Sequence, residues 1–435
     1  LSTIADLDRR HLWHPFTQAY TAGPPVVAVG GQGARLFTED GREFLDMVSS
    51  WWVNLHGHGH PEIAEAIAIQ ARRLEQVIFA DFTHPPAAEL AAKVCGLLPG
   101  DLSRVFYSDD GSTAVEVALK LSLQYWANLG QSQRKRFIAF DGGYHGDTVG
   151  AMSAGASSGY FRAFAPLLFP VDAAPFPATW DGDTEVEARE AEALAAVARL
   201  LDGDEVAAVI IEPLIQGAGG MRICRPQFLQ ALAGLVRDAG ALLVFDEVMT
   251  GFGRTGALFA CLGAGVTPDL ICLSKGLTGG FLPMAMTVAR EEIYRGFLSE
   301  SLETAFLHGH SYTANPLGCA AGLASLELLL QPACAERRAA ISLLHREELA
   351  RLAADAPITR GRVLGTIAAF DLPADQPGYG AAIGGRIKRF CLERGVLVRP
   401  LGNVVYLLPP YCTTPEELQQ AWKVVGQAVA AEAEA

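Results

Sequence analysis

Hydrophobic positions in this chain fall into two patterns that alternate along it. Short unbroken apolar runs lie at 137–140, 207–211, 241–245 and 270–273. Between and after them, apolar residues recur at helical spacing over 112–126, 227–238, 323–330 and 336–352. A strand that is apolar at every position is buried on both faces, as in a mostly parallel sheet covered by helices. The alternation predicts an α/β fold, with a large domain of βαβ units over residues 65–320. Residues 321–435 form a smaller α/β domain, and the N-terminal segment 1–64 packs with it. The proline-and-acid stretch 172–190 reads as a surface excursion, and the closing Ala-Glu repeats are expected to fray.

The ends of these strands carry the chemistry, because functional groups gather at the carboxyl edge of such sheets. Run 270–273 delivers Lys275 into a glycine-rich turn, and the chain has only six lysines among 34 basic residues. An ammonium at the end of a buried strand is costly unless it is paired or its pKa is lowered. A lowered pKa makes the amine a nucleophile toward an aldehyde. Run 241–245 ends in Asp246. Run 207–211 ends in Glu212, whose buried carboxylate needs an Arg, a Lys or a cofactor as partner. A lysine to hold an aldehyde and an aspartate to keep a pyridine nitrogen protonated are what pyridoxal 5'-phosphate requires. A structural ion pair between Asp246 and Lys275 is the alternative.

Gly111-Ser112-Thr113 stands at the head of the 112–126 helix, and Thr113 and Glu116 have capping-box spacing. A glycine permits close backbone approach, and the free amides of a helix N-terminus seat a phosphate. Tyr144, in the glycine turn after 136–140, can lay its ring on a planar cofactor. His145 and Asp147 in that turn read as turn and capping residues.

The block Val244–Gly256, with Pro268-Asp-Leu270 and Ser274-Lys275-Gly276, resembles the class III, fold-type I pyridoxal-phosphate aminotransferases. Leu12–Gln18, Ser49–Trp52, Gln216–Met221 and Val398-Arg399-Pro400 narrow the likeness to the biotin-pathway branch of that family. That resemblance implies a mostly parallel sheet in a large domain plus a smaller domain built from both termini. It implies that Lys275 binds the cofactor and shuttles protons, Asp246 bonds the pyridine nitrogen and Tyr144 covers one ring face. Gly111 and Ser112 would bind the phosphate, joined by Ser311 of the partner subunit in a homodimer that shares its active site. Glu212 would steady Asp246 and the ring substituents. Phe16, Trp51, Trp52, Tyr144, Asp147, Gly309 and Tyr406 would line the substrate site, with Arg399 taking the carboxylate of 8-amino-7-oxononanoate. The implied reaction is a ping-pong transamination giving 7,8-diaminononanoate.

Residue chemistry alone supports Arg399 as a bidentate carboxylate partner, with a surface salt bridge as the other reading. It leaves Trp51 and Trp52 open, since on a strand they would face opposite ways and both could be core. Two departures bear on the amino donor. Phe16 stands where the common form has Tyr, and His310-Ser311 where it has Pro-Thr. Both resemble members that take the amino group from lysine rather than from S-adenosylmethionine.

Composition trims the remaining possibilities. A net charge of −14 argues against nonspecific nucleic-acid binding. Half the residues are hydrophobic, yet no segment is long and apolar enough to span a bilayer. Residues 1–10 lack the basic start and apolar centre of a signal peptide, so the cytoplasm is expected. The eight cysteines show no C-x-x-C spacing and read as buried thiols. His56, His58 and His60 lie in a glycine-rich turn without neighbouring carboxylates, and read as a loop near the substrate site rather than a metal centre. Two rivals stand beside the main reading. One is another class III enzyme acting on an ω-amino acid or diamine with pyruvate or 2-oxoglutarate, differing at Trp51, Trp52 and Arg399. The other is a nicotinamide-dependent dehydrogenase, which lacks the expected G-x-G-x-x-G after a first strand.

Overall fold

The computed structural model describes residues 3–159, 161–375, 378 and 380–433. A seven-stranded sheet forms its centre, in the order Leu102–Ser108, Ala285–Arg290, Leu270–Leu273, Leu242–Asp246, Val206–Ile211, Arg136–Phe140, Asp172–Ala174. Ala285–Arg290 runs against both its neighbours, and every other pair is parallel. Alternation along the strands sends Val209, Ile211 and Phe245 into one core, packed under the helix Pro226–Asp238. Ala208, Ile210 and Val244 enter a second core on the other face, under the helix Gly111–Asn128. With both faces covered, a polar side chain inside Val206–Ile211 or Leu270–Leu273 would need a partner, and both strands are apolar throughout.

One stretch differs from its sequence reading. Asp172–Ala174, inside the expected surface excursion, pairs in register with Ile138–Phe140 as the edge strand of the sheet. Three residues are too few to show a period of two.

Strands Ala28–Gln32, Arg35–Thr38 and Glu43–Asp46 share a sheet with Val396–Leu397, which lies parallel to Glu43–Asp46. A three-stranded antiparallel sheet, Thr359–Leu364, Ile367–Asp371 and Val404–Leu407, packs under the helices Pro332–Asp355 and Pro415–Ala433. The last of these carries the Ala-Glu tail that was expected to fray. It stays helical to Ala433, with Glu432 paired to Arg386 at 2.6 Å, and residues 434 and 435 lie outside the described residues. Helix Pro316–Leu329 spans the expected boundary at residue 321 and packs against helices Pro61–Arg73 and Pro85–Cys95. Among the described residues no single helix is long and apolar enough to cross a membrane. All eight cysteines are free, and only Cys95 and Cys412 are not fully buried.

Candidate active site

Five strands end at one edge of the central sheet, and each contributes to a single cavity of about 600 Å³. Ser108 leads to Gly111 and Ser112, Phe140 to Tyr144 and His145, Ile211 to Glu212, and Leu273 to Lys275; Asp246 closes its own strand.

Lys275 begins a short 3₁₀ turn with its backbone at φ 44°, and its Nζ lies 4.5 Å from the centre of the Trp52 ring. Burial lowers the amine to about 8, against the opposing pull of the Asp246 and Glu212 carboxylates. Among the described residues Lys275 forms no ion pair with Asp246, so the structural-pair alternative is not made. Asp246 is instead held by His145, whose Nδ1 lies 2.7 Å from Oδ2, while Oδ1 accepts the Val248 amide at 3.1 Å. Burial by itself would lower the His145 pKa. The hydrogen bond and charge of Asp246 outweigh it and raise the value. His145 is therefore a buried donor to the carboxylate, not the turn residue it resembles in sequence.

Glu212 is also buried at this edge. Its partners are neither Arg nor Lys but two amides, Tyr144 N at 3.0 Å and Gly217 N at 2.9 Å. Burial raises its pKa, His145 opposes that rise and Asp246 adds to it. The Tyr144 turn is thus tied to the neighbouring strand end. The Tyr144 hydroxyl donates to Asp147 at 2.9 Å, and its ring stacks on Phe161.

The head of helix Gly111–Asn128 is capped at Asp110, three residues earlier than the Thr113-Glu116 spacing suggests. Asp110 accepts the Thr113 amide at 2.9 Å and the Thr113 side chain reaches back to Asp110, whereas Glu116 takes the Gly150 and Ala151 amides. The Gly111 and Ser112 amides stay without a partner among the described residues, at the cavity wall. A Cβ on Gly111 would meet Val248 at 2.5 Å, and one on Gly146, at φ 129°, would strike Ser112. The Ser112 hydroxyl shares a 2.7 Å bond with Thr148, a second hydroxyl that the sequence did not single out. Free amides on a helix end, two hydroxyls, a lysine with a lowered pKa and a carboxylate fixed by a buried imidazole together fit pyridoxal 5'-phosphate.

The other expected site residues divide into two groups. Trp51 and Trp52 sit in a short kinked turn rather than on a strand. Trp52 is buried with its Nε1 donating to the Tyr406 hydroxyl at 2.9 Å, and Trp51 is 37% exposed. Phe16 meets Trp51 edge-on at 5.6 Å, and the Arg399 guanidinium lies over the same indole at 4.3 Å. Arg399 has no carboxylate partner among the described residues. A chain of contacts therefore runs from Lys275 through Trp52 to Tyr406, and beside it from Arg399 through Trp51 to Phe16. Of the expected substrate residues Trp52, Tyr144 and Asp147 line the cavity, and Phe16, Trp51, Tyr406 and Arg399 do not; Gly309 and Ser311 stand apart from both groups, with the Ser311 carbonyl held by Gln76 at 2.8 Å. His310 Nε2 lies 3.8 Å from Asp109. Of the three turn histidines, His56 meets Ser325 at 3.1 Å and His58 meets Asp46 at 2.9 Å, while His60 precedes helix Pro61–Arg73 with its ring edge-on to His56 at 6.1 Å. Among the described residues no group of three His, Cys, Asp or Glu side chains could hold a metal ion.

Comparison with known proteins follows the same lines. A family model described as Aminotransferase class-III matches residues 17–429. The adenosylmethionine-8-amino-7-oxononanoate aminotransferase of Synechococcus elongatus is 59% identical, over 95% of this chain and 97% of its own. Among solved structures, the enzyme of that name from Methanocaldococcus jannaschii superposes with a TM-score of 0.91 at 35% identity, covering 98% of each chain. An amine transaminase from an uncultivated Pseudomonas species, in its PLP-bound form, gives a TM-score of 0.89 at 31% identity, over 97% of this chain and 98% of that one.

Proposed function

This chain belongs to the class-III aminotransferases and is a pyridoxal-phosphate enzyme, and from that premise we propose that it aminates 8-amino-7-oxononanoate to 7,8-diaminononanoate for biotin synthesis. The observation that carries the substrate is Arg399. Its guanidinium is partly buried on the Trp51 indole with no acidic partner among the described residues, as a receptor for one carboxylate should be. The relatives from Synechococcus elongatus and Geobacter sulfurreducens, matched over 95% and 96% of this chain, are named for the same substrate.

When bound, pyridoxal phosphate supplies an aldehyde that exchanges amines and a protonated ring that takes up electrons from the reacting carbon. The chain's own residues do the rest. Lys275 would hold the aldehyde, and its Nζ, once free, would carry the proton between the substrate's amine-bearing carbon and the cofactor; an amine at about 8 has both forms available near neutral pH. Asp246 keeps a proton at the pyridine nitrogen, and His145 stabilises and aims that carboxylate. Gly111 and Ser112, with Thr148 behind them, hold the phosphate. Glu212 fixes the Tyr144 turn, so that Tyr144 covers the ring. Trp52, Trp51, Tyr406, Asp147 and Phe16 shape the path to Arg399.

We take the working unit to be a cytoplasmic homodimer in which Ser311 of the partner subunit completes the phosphate seat. In support, Ser311 is exposed and its neighbours Leu302, Leu307 and Tyr312 are 71%, 71% and 66% exposed. S-adenosylmethionine, part of the relatives' name, is the proposed donor. Lysine is the second reading, favoured by Phe16, His310 and Ser311. The test mixes the loaded enzyme separately with S-adenosylmethionine and with lysine and follows the visible absorbance of the cofactor, then adds 8-amino-7-oxononanoate. Bleaching by one donor and recovery on adding the oxononanoate supports the assignment. Recovery with pyruvate alone would move the ω-amino acid reading ahead of it.

A further inference from the structure

Trp51 and Trp52 ride on an unusual piece of backbone. Ser49, Ser50 and Trp52 have φ of 49°, 63° and 67°, in the left-handed region that side-chain-bearing residues avoid unless their surroundings hold them there. Beside the turn's own backbone bonds, one fully buried side chain helps to hold it. Asp46 accepts the Val48 amide on Oδ1 at 3.1 Å and the Ser50 amide on Oδ2 at 2.7 Å. The same Oδ2 lies 2.9 Å from His58 Nε2. On the far side of the imidazole, Asn54 Nδ2 lies 3.2 Å from His58 Nδ1, so the amide donates there and the ring proton sits on Nε2, donating to Asp46. Asn54 in turn accepts the Gly57 amide at 2.7 Å. The two flanks of the tryptophan turn, 46–50 and 54–58, are thereby tied to each other through a single imidazole.

We propose that Asp46 and His58 form a positioning clamp that sets both indoles against the ligand, and so governs acceptor affinity without touching cofactor or substrate. The proposal rests on the reading that Trp51 and Trp52 wall the substrate path. Neither Asp46 nor His58 lines the cavity. Their reach is indirect and covers both ends of that path. Trp52 stands beside the Lys275 amine and Trp51 carries Arg399, so a turn that relaxes moves both binding ends at once. A charge-assisted bond from a partly buried imidazole to a buried carboxylate that already orders two amides suits that task. The Ser49 hydroxyl, donating to the Leu408 carbonyl at 2.7 Å, anchors the turn to the small domain but cannot by itself orient residues 50–52.

The test uses the cofactor-loaded enzyme and the acceptor that the half-reaction identifies. His58→Ala removes the donor, His58→Gln keeps one at similar reach, and Trp51→Phe trims the wall itself. The readouts are KM for the acceptor, kcat, cofactor content by absorbance, and acrylamide quenching of Trp51, taken as the difference between each protein and its Trp51→Phe counterpart. For His58→Ala the expected results are a KM rise of about ten-fold or more, kcat within about three-fold, unchanged cofactor content and a more accessible Trp51. His58→Gln should recover most of the affinity. Unchanged KM and unchanged quenching in His58→Ala would overturn the clamp. So would a parallel loss of kcat, cofactor and fold in both His58 variants, which marks a merely structural histidine. Should Trp51→Phe leave KM untouched, the reading of the indoles as substrate walls fails instead, and the quenching of His58→Ala still decides whether the clamp sets the turn.

Discussion

Replacing Lys275 by Met in the cofactor-free chain should stabilise the fold at neutral pH, and the gain should vanish in alkali. Burial takes the amine from 10.5 to about 8, which corresponds to about 3 kcal/mol by which the ammonium is worse off folded than unfolded. Below pH 8 the amine is charged in both states, and the whole cost is present. Between pH 8 and 10.5 the folded chain releases a proton that the unfolded chain keeps, so stability rises with pH across that window. Above 10.5 both states are neutral and the cost is gone. Methionine keeps the length and apolar body of the side chain without the charge. Guanidinium melts of both proteins at several pH values give the difference in unfolding free energy, in which the other titrating groups cancel. It should be about 3 kcal/mol in favour of Lys275→Met at pH 7 and fall toward zero near pH 10.5. A difference that is flat with pH, or a wild-type chain that is the more stable at pH 7, would refute the argument that burial depresses this amine.

Three further perturbations probe other parts of the site. Arg399→Ala should raise KM for the oxononanoate by roughly 100-fold while kcat changes little, with Arg399→Lys recovering only part of the loss because it lacks the bidentate fork; steady-state kinetics with the acceptor varied decides. His145→Ala leaves Asp246 without its buried donor, and kcat should fall about ten-fold or more with cofactor still bound, as read from turnover alongside absorbance. Gly111→Ala drives a Cβ into Val248, and the cofactor dissociation constant by equilibrium dialysis should rise about ten-fold; adding Val248→Ala should restore much of the affinity.

What could be read in advance followed from local chemistry. Strands buried on both faces are apolar throughout, so the charged residues that end them stand out: Glu212, Asp246 and Lys275 are conspicuous for that reason. Partnerships across the sheet are another matter. Nothing near His145 reveals that it donates to Asp246, 101 residues away, or that Glu212 is satisfied by amides of two different loops. The capping box was displaced because two overlapping patterns, Asp110-x-x-Thr113 and Thr113-x-x-Glu116, compete on local grounds, and the second is lost when Gly150 and Ala151 recruit Glu116. The tryptophan pair resisted the reading because a turn of left-handed serines has no hydrophobic period; bonds from the buried Asp46 and from the Ser49 hydroxyl help to hold that backbone.

The convergence of five strand ends on one cavity has a consequence for how this protein comes into being. Tyr144 and Glu212 are 68 residues apart in sequence, and Ser112 and Thr148 are 36 apart. The bonds that join these groups, Tyr144 to Glu212, His145 to Asp246 and Ser112 to Thr148, form only once the strands that carry them have assembled into one sheet. Such long-range pairings are the late, slow part of folding, because the entropy of closing long loops is lost before any contact compensates it. Capture of the cofactor is therefore a reporter of completed topology: during refolding, visible absorbance should emerge with the slowest step of sheet assembly, after helix signals have already matured.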